Sequence, residues 1–276
     1  MIVEFTKMHG LGNDFVIVDM ISQHAHFRTE QIKKLADRRM GIGFDQMLLV
    51  EPPSKPDMDF KYRIFNADGS EVEQCGNGAR CFAVFVREQG LTDKSVIKVE
   101  TCNADIELTI QEDGRVRVDM GEPVLEPAQI PFEADQQAST YSLAVEEAYY
   151  ELSAVSMGNP HGVMLVDDVA TANVEELGPQ LEKHTRFPSK ANIGFMEVVH
   201  ARFIKLRVFE RGAGETLACG TGACAAVVAG IERGLLESPV EVKLPGGNLI
   251  IEWAGRGHNL IMVGPAATVF KGQVRI

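Results

Sequence analysis

The apolar residues of this chain fall mostly in short runs whose spacing predicts strands. FVIVD (15–19), QMLLVE (46–51), FKYRIF (60–65), SVIKVET (95–101), DIELTI (105–110) and RVRVDM (115–120) read as strands, several with the period-two alternation of a half-buried sheet. The later part repeats the theme in YSLAVE, GVMLVDD, GFMEVV, FIKLRVF, VEVKL, NLIIEW and LIMV. Two segments carry amphipathic helical spacing instead. These are TEQIKKLADRR from Thr29, with a hydroxyl at the N-cap and acids early, and TANVEELG from Thr171. The proline-rich EPVLEPAQIP (122–131) reads as the crossing between two halves.

Two further segments, ARCFAVFVREQ (79–89) and ACAAVVAGIER (223–233), are apolar almost all the way round, and such a helix is stable only when surrounded. Each runs into a Gly-Leu pair, Gly90-Leu91 and Gly234-Leu235, where glycine takes the left-handed cap conformation. Both belong to a longer duplication. RIFNADGSEVEQCGNGARCFAVFVREQGL from Arg63 and RVFERGAGETLACGTGACAAVVAGIERGLL from Arg207 share Arg63/Arg207, Phe65/Phe209, Glu71/Glu215, Cys75/Cys219, Gly76/Gly220 and Gly78/Gly222 at constant spacing. The predicted fold is α+β: two pseudo-symmetric domains, each a curved mixed or antiparallel sheet wrapped around a central buried helix. The helix N-termini, with Cys75 and Cys219, are expected at an inter-domain cleft that holds the active site.

Composition narrows the function classes. With 276 residues, 45% of them hydrophobic, the chain has material for two cores. Its 27 basic and 39 acidic residues give a net charge of −12, with no basic tract suited to nucleic acid or an anionic membrane. No apolar run approaches spanning length, and MIVEFTKMHGLGNDF lacks signal-peptide architecture, so a cytoplasmic location is expected. Five cysteines, an odd number, predict reduced thiols rather than a disulfide framework.

A cysteine at a helix start meets unpaired backbone N–H groups and a partial positive charge, which favour thiolate over thiol. The glycines beside it open that turn to a small anion such as a carboxylate. Negative charge developing on the adjacent α-carbon is stabilised by the same donors. One cysteine then removes the α-proton as thiolate and the other returns a proton to the opposite face as thiol. This chemistry inverts configuration and calls for neither cofactor nor metal.

Several long motifs in order make the resemblance specific. HGLGNDF (9–15), GFDQ (43–46), NADGS (66–70) into CGNGARC (75–81), GNPH (158–161), ANIGF (191–195) and ERGAGET (210–216) into ACGTGA (218–223) resemble diaminopimelate epimerase over essentially the whole chain. The resemblance implies interconversion of LL- and meso-2,6-diaminopimelate without pyridoxal phosphate or metal, on the route to lysine and peptidoglycan precursor. It implies Cys75 and Cys219 as the acid/base pair, with His161 and Glu210 close to the thiols and helping proton transfer. Asn13, Gln46, Asn66, Gly76, Asn77, Asn159, Asn192, Glu210, Arg211, Gly220 and Thr221 would line the substrate site. It further implies a last strand returning to the first domain, giving domains 1–120 with 265–276 and 121–264, and a homodimer. Many relatives carry a tyrosine where this chain has Phe270.

Blander readings stand beside these. Cys81 and Cys224, inside apolar helices, read as packing, and Cys102 as incidental. A zinc site from Cys75, Cys81, Cys219 and Cys224 would require two ligands pointing into helical cores. GAGETLACGTG lacks the following strand and ribose-binding acid of a dinucleotide loop. His161 after Asn-Pro, and the four asparagines beside turn residues, are also ordinary turn formers.

Overall fold

The computed structural model describes residues 1–72, 76–102 and 105–276. In chain order the elements are β1 (Ile2–Gly10), β2 (Asn13–Asp19), α1 (Thr29–Ala36), β3 (Gln46–Glu51), β4 (Phe60–Asn66), β5 (Glu71–Val72), α2 (Gly76–Glu88), β6 (Val96–Glu100), β7 (Asp105–Ile110) and β8 (Val116–Asp119). There follow β9 (Tyr141–Val145), β10 (Ala148–Ser156), β11 (Pro160–Leu165), α3 (Val174–Glu182), β12 (Asn192–His200), β13 (Phe203–Glu210), β14 (Gly214–Thr216) and α4 (Gly220–Glu232). The last strands are β15 (Val240–Leu244), β16 (Gly247–Glu252), β17 (Ile261–Gly264) and β18 (Ala267–Arg275). The chain divides into two compact units, Met1–Asp119 with Gly264–Ile276, and Met120–Val263.

Both units are built on one plan. In the first, β18, β1 and β2 pair antiparallel, β2 and β3 parallel, β3 and β4 antiparallel, β4 and β6 parallel, then β6, β7 and β8 antiparallel. In the second, β9 to β13 and then β15 to β16 and β17 repeat that sequence of directions step for step. The α+β fold of two pseudo-symmetric sheet-and-helix domains is therefore present. α2 packs against β1, β2, β3, β7, β8 and β18, and α4 against β10 to β13 and β16.

The continuous apolar runs are explained by burial on both sheet faces. Phe15, Leu48 and Ile64 close on Gly78 of α2, whereas Val16, Val18, Met47 and Leu49 pack with Ile32, Leu35 and Ala36 of α1. α3 covers the matching face of the second unit through Val174, Leu177 and Leu181. Each such side chain taken out of water contributes about 1.5–3 kcal/mol. Gly90 and Gly234 stand at φ 69° and 68°, the left-handed caps expected after the two buried helices.

Local expectations are corrected in several places. α2 and α4 begin three residues before the apolar runs, and Gly76, Gly78, Gly220 and Gly222 lie in their first turns as expected. Thr29 is not the N-cap of α1: Arg28 is, and its backbone N–H donates to the Gln31 side chain at 3.0 Å. α3 starts at Val174 rather than near Thr171, whose hydroxyl instead donates to Asp168 O at 3.3 Å. The segment 122–131 lies within the second unit. The strands β1, β5, β10, β14 and β18 were not expected from periodicity; β1 and β10 mix exposed and buried residues without clean alternation, and β18 has no buried residue.

Candidate active site

In the first unit the candidate residues gather where β2 and β3 start and β4 ends. A two-residue turn joins β1 to β2 with both central residues left-handed, Leu11 at φ 58° and Gly12 at 91°, and delivers Asn13 at the strand start. Leucine in that region is strained by about 1 kcal/mol, the kind of local cost that clusters at functional sites. Gln46 and Asn66 face each other across β3 and β4, with Gln46 Nε2 donating to Asn66 Oδ1 at 2.9 Å. Asn66 Nδ2 donates to Ser70 Oγ at 3.2 Å. From the first turn of α2, Asn77 Nδ2 donates to Asn13 Oδ1 at 3.2 Å. Asn13, Gln46, Asn66, Gly76 and Asn77 are thus brought to one strand-end and helix-start cluster. Cys75, the residue bonded to Gly76, lies outside the described residues.

The second unit assembles the same strand ends with different side chains. His161 on β11 faces Asn192 on β12, and one step beyond the Ile193–Phe209 pair the register reaches Asn192 and Glu210. His161 is buried, with Nε2 3.0 Å from Asn159 Oδ1 and 3.5 Å from Asn192 Nδ2. Nε2 thus lies between an amide oxygen and an amide nitrogen, and the ring's tautomer sets which of the two it bonds. Burial, with the Arg211 charge beside it, pushes His161 down to about 3, so the ring is neutral at pH 7. Asn192 Oδ1 accepts the Arg211 backbone N–H at 2.8 Å, and Arg211 Nη1 donates to Ser189 O at 3.0 Å. Buried Glu182, at the end of α3, accepts the Gly212 N–H at 3.0 Å and so pins the Glu210–Gly212 turn.

Cys219 sits immediately before Gly220 at the start of α4 and is only 4% exposed. Its sulfur lies 3.6 Å from Thr221 Oγ1. Burial, then the negative charge of Glu210, drives the thiol well above its ordinary value, while Thr221 and the Gly222 amide act the other way. The expectation of a thiolate from the helix start alone is therefore corrected for Cys219. Desolvation and a carboxylate that accepts the S–H outweigh the helix charge, so the group stands as a proton-bearing acid. The ionisable neighbour acting most strongly on it is Glu210, whose own carboxylate also accepts from Thr216 Oγ1 at 2.5 Å. A Cβ on Gly222 would come within 3.2 Å of the sulfur, so any side chain there presses on the thiol.

Sequence reasoning did not single out Asp14, Arg38, Asp45, Arg80 and Glu182, which hold these candidates. Several of their partners are distant along the chain, Asp45 and Asp14 being joined across 31 residues and Glu182 and Gly212 across 30. Among the described residues no group of three or more His, Cys, Asp and Glu is placed to hold a metal ion. Cys81 and Cys224 are buried within α2 and α4, and Cys102 is exposed. No helix among the described residues is long and apolar enough to cross a membrane.

Comparison with known proteins gives a consistent picture. The family model described as diaminopimelate epimerase matches residues 5–126 and 153–269. The chain is 60% identical to a diaminopimelate epimerase of Stutzerimonas stutzeri and 61% identical to one of Pseudomonas aeruginosa, each over 276 residues and all of both chains. Among solved structures it is similar to a hydroxyproline epimerase of Agrobacterium vitis at 14% identity and TM-score 0.72, covering 99% of this chain and 92% of that one. A PhzF-family protein of Bacillus anthracis matches at 16% identity and TM-score 0.70 over all of both chains. These two likenesses concern the fold.

Proposed function

The chain belongs to the diaminopimelate epimerase family, and from that premise we propose that it interconverts LL- and meso-2,6-diaminopimelate by a two-thiol mechanism. The observation that carries the reading is Cys219, a buried thiol at a glycine-rich helix start with Glu210 as its proton partner. Its counterpart in the duplicated sequence is Cys75. In one turnover Cys75 as thiolate takes the α-proton, and the C–H electron pair passes to the carbon and its carboxylate. Cys219 as thiol then protonates the opposite face. The two cysteines end in exchanged protonation states, and the reverse reaction starts from there. No group outside the chain is needed to balance protons or electrons.

The remaining candidates take roles suited to their chemistry. The amides of Gly76-Asn77 and Gly220-Thr221 hold the carboxylate at the reacting centre, since helix starts present N–H groups to anions. Arg211 is shaped for the distal carboxylate, and Asn13, Gln46, Asn66, Asn159, Asn192 and Glu210 serve the remaining polar groups. Neutral His161 orients Asn159 and supports proton movement near the thiols. The chain is read as a cytoplasmic homodimer. Phe270, 46% exposed and edge-on to Phe5 at 5.9 Å, supplies apolar surface for such packing.

The test is a chirality-resolving assay in deuterated water with pure LL- and meso-diaminopimelate under reducing conditions. Wild type exchanges the α-hydrogen and equilibrates the isomers. Cys75→Ala and Cys219→Ala each lose at least about 10³-fold in turnover, within the range expected for removing an acid or base. Full turnover by both variants would overturn the two-thiol mechanism. Inversion of L-proline with diaminopimelate unchanged would overturn the substrate assignment.

A further inference from the structure

Within the first unit a line of hydrogen bonds runs from a buried cation to a carboxylate through two substrate-site amides. Arg80 is 0% exposed and donates through Nη2 to Asn77 Oδ1 at 2.9 Å. Asn77 Nδ2 donates to Asn13 Oδ1 at 3.2 Å, and Asn13 Nδ2 donates to Asp45 Oδ2 at 2.9 Å. An asparagine amide is nearly symmetric in shape, so packing alone does not decide which way it faces. The ends of this line do decide. A guanidinium only donates, which turns the Asn77 oxygen toward Arg80, and an ionised carboxylate only accepts, which turns the Asn13 nitrogen toward Asp45. Reversing either amide would set donor against donor or acceptor against acceptor at one end.

Both ends are braced. Arg80 Nε donates to Pro265 O at 3.1 Å and Nη1 to Gly76 O at 3.3 Å. Asp45 accepts from Arg38 Nη2 at 2.8 Å and from the Asp14 backbone N–H at 3.0 Å. Arg38 also bonds Asp14 at 2.7 Å and 3.0 Å, and Lys7 reaches Asp14 and the Gly43 carbonyl. β1 crosses this line at Gly10, where a Cβ would lie 3.0 Å from Arg80 Nη2 and 3.3 Å from Asn77 Cβ.

We propose that Asp45 and Arg80 are positioning residues of the reaction: from opposite ends, Arg80 through Asn77, they fix which edge of the Asn13 side-chain amide meets the substrate. The proposal rests on the substrate contact given above to Asn13. The decisive variant is Asp45→Ala, because the side chain is 44% exposed and its removal opens no buried cavity. KM for LL-diaminopimelate is expected to rise about tenfold with kcat changed less than about threefold, the signature of lost binding geometry. In an Asn13→Ala background the same change costs less than about twofold, because the amide it orients is gone. Asp45→Glu recovers part of the loss, as does Arg80→Lys relative to Arg80→Met. A ligand-free readout accompanies these: the Asn13 side-chain amide signal in ¹⁵N NMR, identified by its disappearance in Asn13→Ala, exchanges with water faster in Asp45→Ala. Unchanged KM together with unchanged exchange overturns the proposal, as does a full multiplicative loss in the double variant. Faster exchange with unchanged KM upholds the orienting device and overturns the substrate contact of Asn13 instead.

Discussion

The two units place different side chains on the same frame. Across β3 and β4 the first unit pairs Gln46 with Asn66, where the second reaches Asn192 and Glu210. Phe15 occupies the register position that His161 holds. Arg80 lies in α2 where the duplicated sequence puts Cys224 in α4. The first unit therefore keeps a buried cation one turn behind its helix start, and the second keeps a carboxylate beside its cysteine. The duplicated frame has two glycine-rich helix starts, and a handful of differing side chains make them chemically unequal. A reaction that needs an acid and a base has use for that inequality.

The sharpest test of the comparison is a pair of matched glycines. In Gly222→Ala the new methyl presses on the Cys219 sulfur and on Val208, at 3.2 Å and 3.1 Å, so kcat/KM falls at least about tenfold through misplacement of the thiol. In Gly78→Ala the methyl meets, among the described residues, Phe15, Ile64 and Leu48, at 3.3–3.5 Å, which costs roughly 1 kcal/mol of stability. Steady-state kinetics beside thermal melts read both variants, and an unchanged kcat/KM in Gly222→Ala would show that the Cys219 thiol tolerates the added methyl.

Acid stability comes next in size. His161 passes from 6.5 to about 3 on folding, so the unfolded chain binds a proton below pH 6.5 that the folded chain refuses until near pH 3. Stability is complete above pH 6.5 and declines as pH falls, by about 2 kcal/mol at pH 5 from this residue. His161→Gln should flatten that part of the stability profile in urea titrations, while substitutions at Phe15 leave the slope as it was. An unaltered slope in His161→Gln would return the acid sensitivity to other groups.

The smallest effect concerns the twin ion pairs, Arg63–Glu71 at 2.7 Å and Arg207–Glu215 at 2.6 Å. Arg63 is 36% exposed, and Arg63→Met should cost only about 0.5 kcal/mol. Arg207 is 23% exposed and also donates to the Val169 and Ala172 carbonyls, so Arg207→Met should cost about 1–2 kcal/mol. Urea midpoints for the two variants in the reverse order would show that the carbonyl contacts add nothing.

Much of the frame was legible because its strongest signals are local. β3, β7 and β15 coincide with their apolar runs, and the all-round apolar helices announced that something must enclose them. β1 and β10 escaped because a strand with mixed exposure loses the alternation that periodicity detects, and β18 because it buries no residue. At the site, motif order picked out Asn13, Gln46 and Asn192, but not Asp45, Arg38 or Glu182, whose partners Asn13, Asp14 and Gly212 are brought to them by tertiary packing. The ionisation of Cys219 was misjudged for a related reason. A helix start is visible in sequence, whereas the enclosure of the sulfur and the arrival of Glu210 from β13 are products of packing.

β18 pairs along nearly the whole of β1, yet in chain order it comes after every residue of the second unit. On the ribosome, the earlier-made half must wait with one flank of its sheet unzipped while its sibling is translated in full. Whatever shields that raw margin from sticking to a neighbour during the delay is as much a requirement of this architecture as the chemistry it serves.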